Sequence, residues 1–383
     1  MLQTLSEMHE LIAPVERLDG DPSVLQPEQD GIALCLSGGG YRAMLFHVGA
    51  IIRLNELGIL PKLDRISSVS GGSITAGVLG LNWKKLRFNA GGVAENLDEY
   101  FTTPLRAMGL HTIDASSIFE GVLMPGTVSD RICKSYKDYL FGAATLQDLP
   151  DTPRFVINAT NVQSMALCRF SKPYMWDYRV GKVSNPKIAL ALAVAASSAF
   201  PPMLSPAELH IKSSDFDPNT GTELQKEPYT TDMVLTDGGV YDNLGLETAW
   251  KKYSTILVSD GGGAAQPEPE PKHDWAGHAY RVLNIVDNQV RCLRKRQLIG
   301  GFNAGLRKGT YWGIRTDIKN YSLPDALPCP FEKTIQIAEI PTRLKRLEPE
   351  QEKDLINWGY AVCDAAMRAH MNLGPGAVPK LPL

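Results

Sequence analysis

The stretch that decides the fold is GIALCLSGGGYRA at residues 31–43, and a related stretch, DRISSVSGGS, follows at residues 64–73. Each begins with apolar residues and ends in consecutive glycines, the pattern of a buried strand that runs into a tight turn. After the first turn, apolar residues recur at helical spacing as far as Leu57, and Gly58 ends the pattern. The order strand, glycine turn, helix occurs twice and predicts a parallel sheet with covering helices.

Later segments extend this pattern. Further strands are predicted at 154–162, 166–170, 233–239 and 254–263, and further helices at 187–199, about 275–300 and about 348–371. We therefore expect an α/β fold with a mostly parallel central sheet flanked by helices.

The chain divides at a stretch rich in proline and charge, residues 264–274, where regular packing is disfavoured. We expect an N-terminal arm (1–30), a catalytic α/β domain (31–263) and a helical C-terminal part (264–383) docked on that domain. A helical insertion is expected at about 84–150, beside the sheet.

Composition excludes several classes of protein. The chain has 383 residues and a formal net charge of -3, which gives no general attraction to nucleic acid. Its six cysteines form no CxxC pair, so neither a zinc site nor a disulfide framework is indicated. The longest apolar run, residues 188–200, is shorter than the roughly 20 residues that span a bilayer. We expect a soluble, cytoplasmic protein without a secretory signal, metal or cofactor.

The first glycine turn, residues 38–43, suits two chemistries. Free N–H groups at a helix start can bind an anion, either the pyrophosphate of a dinucleotide or the oxyanion of acyl transfer. The sequence matches G-x-G-x-x-A, but dinucleotide binding also needs an acidic residue at the end of the next strand. Glu56 falls in the helix and Asp64 precedes the strand, so the dinucleotide interpretation fails.

The second turn places Ser70 before Gly71 and Gly72, which resembles the nucleophile elbow G-x-S-x-G. Ser68 replaces the first glycine of that motif. Ser73 is a rival nucleophile, although Thr75 stands where its second glycine should be. On this segment alone, a helix-capping serine remains an equal alternative.

A third segment ends an apolar strand with Asp237, followed by two glycines. Such an aspartate can cap a turn, or it can act as the general base for a serine. Asp260 also precedes two glycines after an apolar strand and is its rival.

Together, SGGGYRA, SSVSGGS and LTDGGVYDNLG resemble the patatin-like phospholipases, whose core is related to that of the cytosolic phospholipase A enzymes. The resemblance covers roughly residues 31–263 and includes the small-residue run AVAASSAFPP at 193–202. It implies a patatin-like α/β fold and a Ser–Asp dyad without a catalytic histidine.

Carried over by position, the resemblance makes Ser70 the nucleophile and Asp237 the base. The oxyanion hole would comprise Gly38, Gly39 and Gly40, with Arg42 beside them. The sequence departs from the family pattern at Ala43, the usual last glycine, and at Ser68. A Ser-His-Asp triad is the alternative that a histidine would support, but His47 fits a packed helix position better.

The resemblance implies a phospholipase A or esterase that acts on lipid esters. The alternative is a regulatory or scaffold protein that keeps the patatin fold without turnover. Membrane contact would be peripheral, through a basic helix face whose other interpretation is an ordinary solvated surface. That face contains Arg291, Arg294, Lys295 and Arg296.

Overall fold

The computed structural model describes residues 27, 29–113, 128–263, 265–371 and 378–383. The predicted N-terminal arm lies almost entirely outside these residues, and so does the middle of the predicted insertion.

Strands and helices alternate along the described chain. The strands are β1 (Gln29–Leu36), β2 (Arg65–Val69), β3 (Arg154–Asn161), β4 (Ala166–Phe170), β5 (Tyr174–Asp177), β6 (Gly181–Ser184), β7 (Ala207–His210), β8 (Asp232–Asp237), β9 (Tyr253–Asp260) and β10 (Lys308–Gly313). The helices are α1 (Gly40–Glu56), α2 (Gly71–Asn82), α3 (Thr103–Gly109), α4 (Val128–Tyr136), α5 (Leu190–Ser197), α6 (Gly239–Asp242), α7 (Glu247–Trp250), α8 (Trp275–Asn303), α9 (Phe331–Ala338) and α10 (Pro349–His370).

The strands form one mixed sheet in the order β10-β9-β1-β2-β3-β4-β5-β6. Strands β10, β9, β1, β2 and β3 are parallel, while β4, β5 and β6 continue the sheet as antiparallel neighbours. Strand β2 is buried along its whole length, as expected for a strand covered by helices on both faces. The predicted fold class is confirmed.

Strand β8 approaches β3 from the opposite direction. It pairs antiparallel with β3 over only three positions, and its last residue, Asp237, lies opposite Ala159. On β3, Asn158 directly precedes Ala159 and is the parallel partner of Val69 at the end of β2. The antiparallel strand therefore ends beside the turn that carries Ser70.

The C-terminal part is joined to the sheet and is not purely helical. Strand β10 pairs with β9 and forms one edge of the sheet. Helix α10 packs closely on α1, where a Cβ at Gly49 would lie 1.8 Å from the carbonyl oxygen of Ile356. Arg53 of α1 and Asp364 of α10 form a buried ion pair at 2.8 Å. Within the described ranges, no helix is both long and apolar enough to cross a bilayer.

Candidate active site

A cavity of about 780 Å³ opens where β1, β2 and β8 end. Its lining includes the predicted site residues Gly38, Gly39, Gly40, Arg42, Ser70 and Asp237. Residues from three separate parts of the sequence thus meet in one place.

Ser70 lies on a strained turn between β2 and α2. Its φ of 52° and ψ of -120° are rare for a residue with a side chain, and such strain is typical of a nucleophile elbow. The side chain makes no capping hydrogen bond to α2, so the structure does not use it as a helix cap. A side chain at Gly71 would place its Cβ 2.1 Å from the carbonyl oxygen of Gly40, which explains the glycine after the serine.

Asp237 is buried, with 1% of its surface exposed. Burial is the main reason that its pKa rises from 3.8 to about 7, while interactions with the Gly239 N–H and the Ser70 side chain oppose the rise. Oδ1 accepts the Gly239 N–H at 2.7 Å. Oδ2 has no hydrogen bond of ordinary geometry among the described residues, so it remains available to accept a proton.

The glycine turn offers two N–H groups to the cavity. The N–H of Gly38 is already used, because it donates to the carbonyl oxygen of Asn243 at 3.0 Å. No acceptor among the described residues pairs with the N–H of Gly39, which precedes α1, or of Gly40, its first residue. Of the three glycines predicted to form an oxyanion hole, Gly39 and Gly40 thus have N–H groups without an acceptor among the described residues, and the oxyanion hole itself stays a prediction.

Arg42 lines the cavity beside the glycines, and its guanidinium is hydrogen-bonded to the protein. Its guanidinium donates to the carbonyl oxygens of Gly261 and Ile340 and to the Thr342 hydroxyl. Burial lowers its pKa to about 10. With 3% of its surface exposed, Arg42 ties the loop at 338–342 to the glycine turn.

The small-residue run at 193–202 connects Ser70 to Asp237. Ser197 at the end of α5 accepts the Ser70 N–H at 2.9 Å and donates to the carbonyl oxygen of Asn158 at 2.6 Å. Two residues further on, Ala199 accepts the Asp237 N–H at 3.0 Å. Sequence reasoning noted the run but assigned Ser197 no role, since its partners are distant in the chain.

The rival nucleophile and base are both engaged elsewhere. Ser73 is fully buried and shares hydrogen bonds with Ser68 and Ser197 at 3.0 and 2.9 Å. Asp260 pairs with Lys295 at 2.6 Å and accepts the Tyr311 hydroxyl at 2.7 Å. Burial alone would raise the pKa of Asp260, but these partners hold it well below its usual value.

Histidine does not contribute to the described lining of the cavity. His47 is buried on α1, where its ring nitrogens contact Ser259 Oγ at 2.8 Å and the carbonyl oxygen of Ser37 at 2.9 Å. Burial lowers its pKa to about 4. The described residues also contain no group of three or more metal-type ligands.

The sequence predicted an exposed basic face on α8, but three of its four basic side chains form ion pairs with acidic residues of the protein. Arg291 pairs with Asp287 at 3.2 Å, Arg294 with Glu247 at 3.1 Å and Lys295 with Asp260 at 2.6 Å. Arg296 is the exposed member of the set. The outer face of the helix is instead apolar, with four exposed side chains spaced at seven, four and seven residues: Trp275, Val282, Val286 and Leu293.

Glycine turns, a strained serine and a buried carboxylate thus meet at one cavity of a mixed sheet flanked by helices. The chain belongs to the patatin-like phospholipase family, whose sequence profile matches residues 34–250. This confirms the resemblance that the motifs indicated, and the family is one of lipid hydrolases.

Among solved structures, the chain is similar to human GIVD cytosolic phospholipase A2, with 13% identity and a TM-score of 0.50 over 95% of this chain and 66% of that one. VipD from Legionella pneumophila has 16% identity and a TM-score of 0.36, over 90% of this chain and 67% of that one. The chain thus spans about two thirds of these proteins, and the first likeness shows the fold alone. No curated protein sequence matches the chain.

Proposed function

We propose that this chain is a lipid acyl hydrolase of the phospholipase A or esterase type, with Ser70 as nucleophile and Asp237 as general base. The observation that carries the proposal is that a strained serine and a buried carboxylate line the same cavity, where the Ser70 side chain interacts with Asp237. A base with a pKa of about 7 accepts a proton and returns it at neutral pH.

In the first half of the reaction, Asp237 takes the proton from the Ser70 hydroxyl while the Ser70 oxygen attacks the ester carbonyl. The carbonyl oxygen becomes an oxyanion, which the N–H groups of Gly39 and Gly40 would stabilise. The intermediate collapses, the ester bond breaks, and Asp237 gives its proton to the leaving alcohol. The acyl group is left on Ser70.

In the second half, water replaces the alcohol. Asp237 takes a proton from the water, whose oxygen attacks the acyl-serine carbonyl. Collapse of this second intermediate breaks the bond to Ser70, which recovers its proton from Asp237, and a fatty acid leaves. In this scheme Asp237 makes every proton transfer, so no histidine takes part.

The test is ester hydrolysis by Ser70→Ala and Asp237→Ala, with Ser73→Ala and Asp260→Asn as matched controls. We expect the first two variants to be folded and inactive, and the controls to keep activity. Activity in Ser70→Ala would refute the assignment of the nucleophile. An inactive wild type would leave the fold as a scaffold without turnover.

Peripheral membrane contact through α8 remains a prediction, but the residues that would make the contact differ from those that the sequence indicated. Three of the four basic side chains are held in ion pairs, which leaves Arg296 available to a bilayer. The exposed apolar side chains of α8 are also available, among them Leu293, with 58% of its surface exposed. An apolar helix face with basic residues beside it is suited to a lipid interface. The cytoplasmic location also remains a prediction.

A further inference from the structure

The lining of the cavity is chemically mixed. The chain from 200 to 204 supplies an apolar wall, namely Phe200, Pro201, Met203 and Leu204. Helix α8 and the loop at 338–344 supply three arginines, Arg281, Arg291 and Arg343, together with two acidic residues, Asp287 and Glu339. One ligand in the cavity could therefore contact both apolar and cationic side chains.

The arginines of the cavity differ in the ion pairs and hydrogen bonds that their guanidinium groups already form. Arg281 pairs with Glu268 at 3.4 Å and donates to the carbonyl oxygen of Gln266. Arg291 pairs with Asp287, and the guanidinium of Arg42 is hydrogen-bonded to the protein. Among the described residues, the Arg343 side chain forms neither an ion pair nor a hydrogen bond, and it is exposed.

Arg343 is held against the glycine turn by its backbone. Its carbonyl oxygen accepts the N–H of Tyr41 at 3.0 Å. A Cβ at Gly40 would lie only 2.6 Å from that oxygen, so the glycine permits the approach. The next residue, Leu344, accepts the N–H of Ile113 at 2.8 Å, which anchors the loop on its other side. The Arg343 side chain therefore leaves the backbone beside Gly40, a proposed oxyanion donor.

We propose that Arg343 binds the phosphodiester of a glycerophospholipid while an acyl chain lies along the apolar wall from Phe200 to Leu204. This inference rests on the proposed function and adds a specificity-determining residue to it. In a glycerophospholipid the scissile ester and the phosphate are attached to nearby glycerol carbons, within the span of one long side chain from the reacting carbonyl. A guanidinium suits a phosphate because it donates two parallel hydrogen bonds.

The test compares Arg343→Gln with Arg346→Gln. Arg346 lies on the same loop and is exposed, but it does not line the cavity, so the two variants remove the same charge from different places. The substrates are phosphatidylglycerol and diacylglycerol with the same acyl chains in mixed detergent micelles, together with p-nitrophenyl butyrate. The readout is the ratio of kcat/KM for the phospholipid to kcat/KM for the diacylglycerol.

We expect Arg343→Gln to lower that ratio by roughly 10-fold or more, the effect of losing a charged hydrogen bond. Hydrolysis of diacylglycerol and of p-nitrophenyl butyrate should stay within about two-fold of wild type. Arg343→Lys should recover part of the ratio, and Arg346→Gln should leave it unchanged.

An unchanged ratio in folded Arg343→Gln overturns the inference alone, whether that variant keeps wild-type activity on every substrate or loses activity equally on all of them. A wild type that hydrolyses none of the three esters overturns the proposed function, and this inference with it. The two failures are therefore distinguishable.

Discussion

Replacing Asp237 by asparagine should stabilise the protein, and the stabilisation should grow with pH. Burial raises the pKa of Asp237 from 3.8 to about 7, so the folded protein binds this proton more tightly than the unfolded chain. The resulting contribution to stability is present at low pH and is lost as the pH rises through the window from 3.8 to about 7. Asparagine is uncharged at every pH in this range and avoids the loss.

The magnitude follows from the two pKa values. Relative to an uncharged side chain, the raised pKa lowers the free energy of unfolding by about 1.5 kcal/mol at pH 5 and about 4 kcal/mol at pH 8, at 1.36 kcal/mol per pKa unit. The side-chain oxygen of asparagine can still accept the Gly239 N–H. Its NH₂ group replaces Oδ2, which has no hydrogen-bond partner among the described residues. The free energy of unfolding of Asp237→Asn should therefore exceed that of wild type by about these amounts.

Urea unfolding at pH 5 and pH 8 measures this difference, and titrations elsewhere in the protein cancel between variants. Asp260→Asn is the matched control, since Asp260 is also the last residue of a strand and is also followed by two glycines. Its carboxylate is paired with Lys295 and its pKa is lowered, so that variant should be less stable than wild type. The reasoning is refuted if Asp237→Asn is destabilised at pH 8, or if its advantage does not increase between pH 5 and pH 8.

Three further results are expected. The kcat/KM of the wild type on a soluble ester should rise with pH through an apparent pKa near 7, because Asp237 must be ionised to act as a base; a flat profile from pH 5 to 9 would exclude it. Ser197→Ala should lower kcat and cost roughly 1–3 kcal/mol in urea unfolding, because the buried Ser70 N–H loses its acceptor; wild-type values for both would contradict this. Activity should survive EDTA, since the described residues offer no cluster of metal-type ligands, and a reversible loss would reveal a metal site.

Local sequence pattern predicted the parts of the fold that depend on neighbouring residues. Apolar runs that end in glycine marked β1, β2, β8 and β9, because buried strands and tight turns each need particular residue types. Helical spacing located α1 to within one residue at each end. These elements bring the predicted site residues to one cavity.

What the sequence could not predict depends on partners distant in the chain. The antiparallel direction of β8 is set by pairing with β3, and nothing within the strand reveals it. Strand β10, KGTYWG, is short and lies between helices, so its pairing with β9 was missed and the C-terminal part was predicted as helical. Helical spacing placed the basic residues of α8 on one face, but it could not show that acidic residues elsewhere pair with them.

The same limit applies within the candidate site. The N–H of Gly38 is used by Asn243, more than 200 residues away in sequence, and no local pattern distinguishes it from the next two glycines. Arg343 lies in a loop without a motif, and only its position against Gly40 identifies it.

The most direct test of the central claim is to react the folded protein with a fluorophosphonate and locate the adduct by peptide mass spectrometry. The account predicts a single adduct on Ser70, none in Ser70→Ala, and slower labelling in Asp237→Asn, where the base is absent. An adduct on Ser73, or labelling of Ser70→Ala at the wild-type rate, would contradict it.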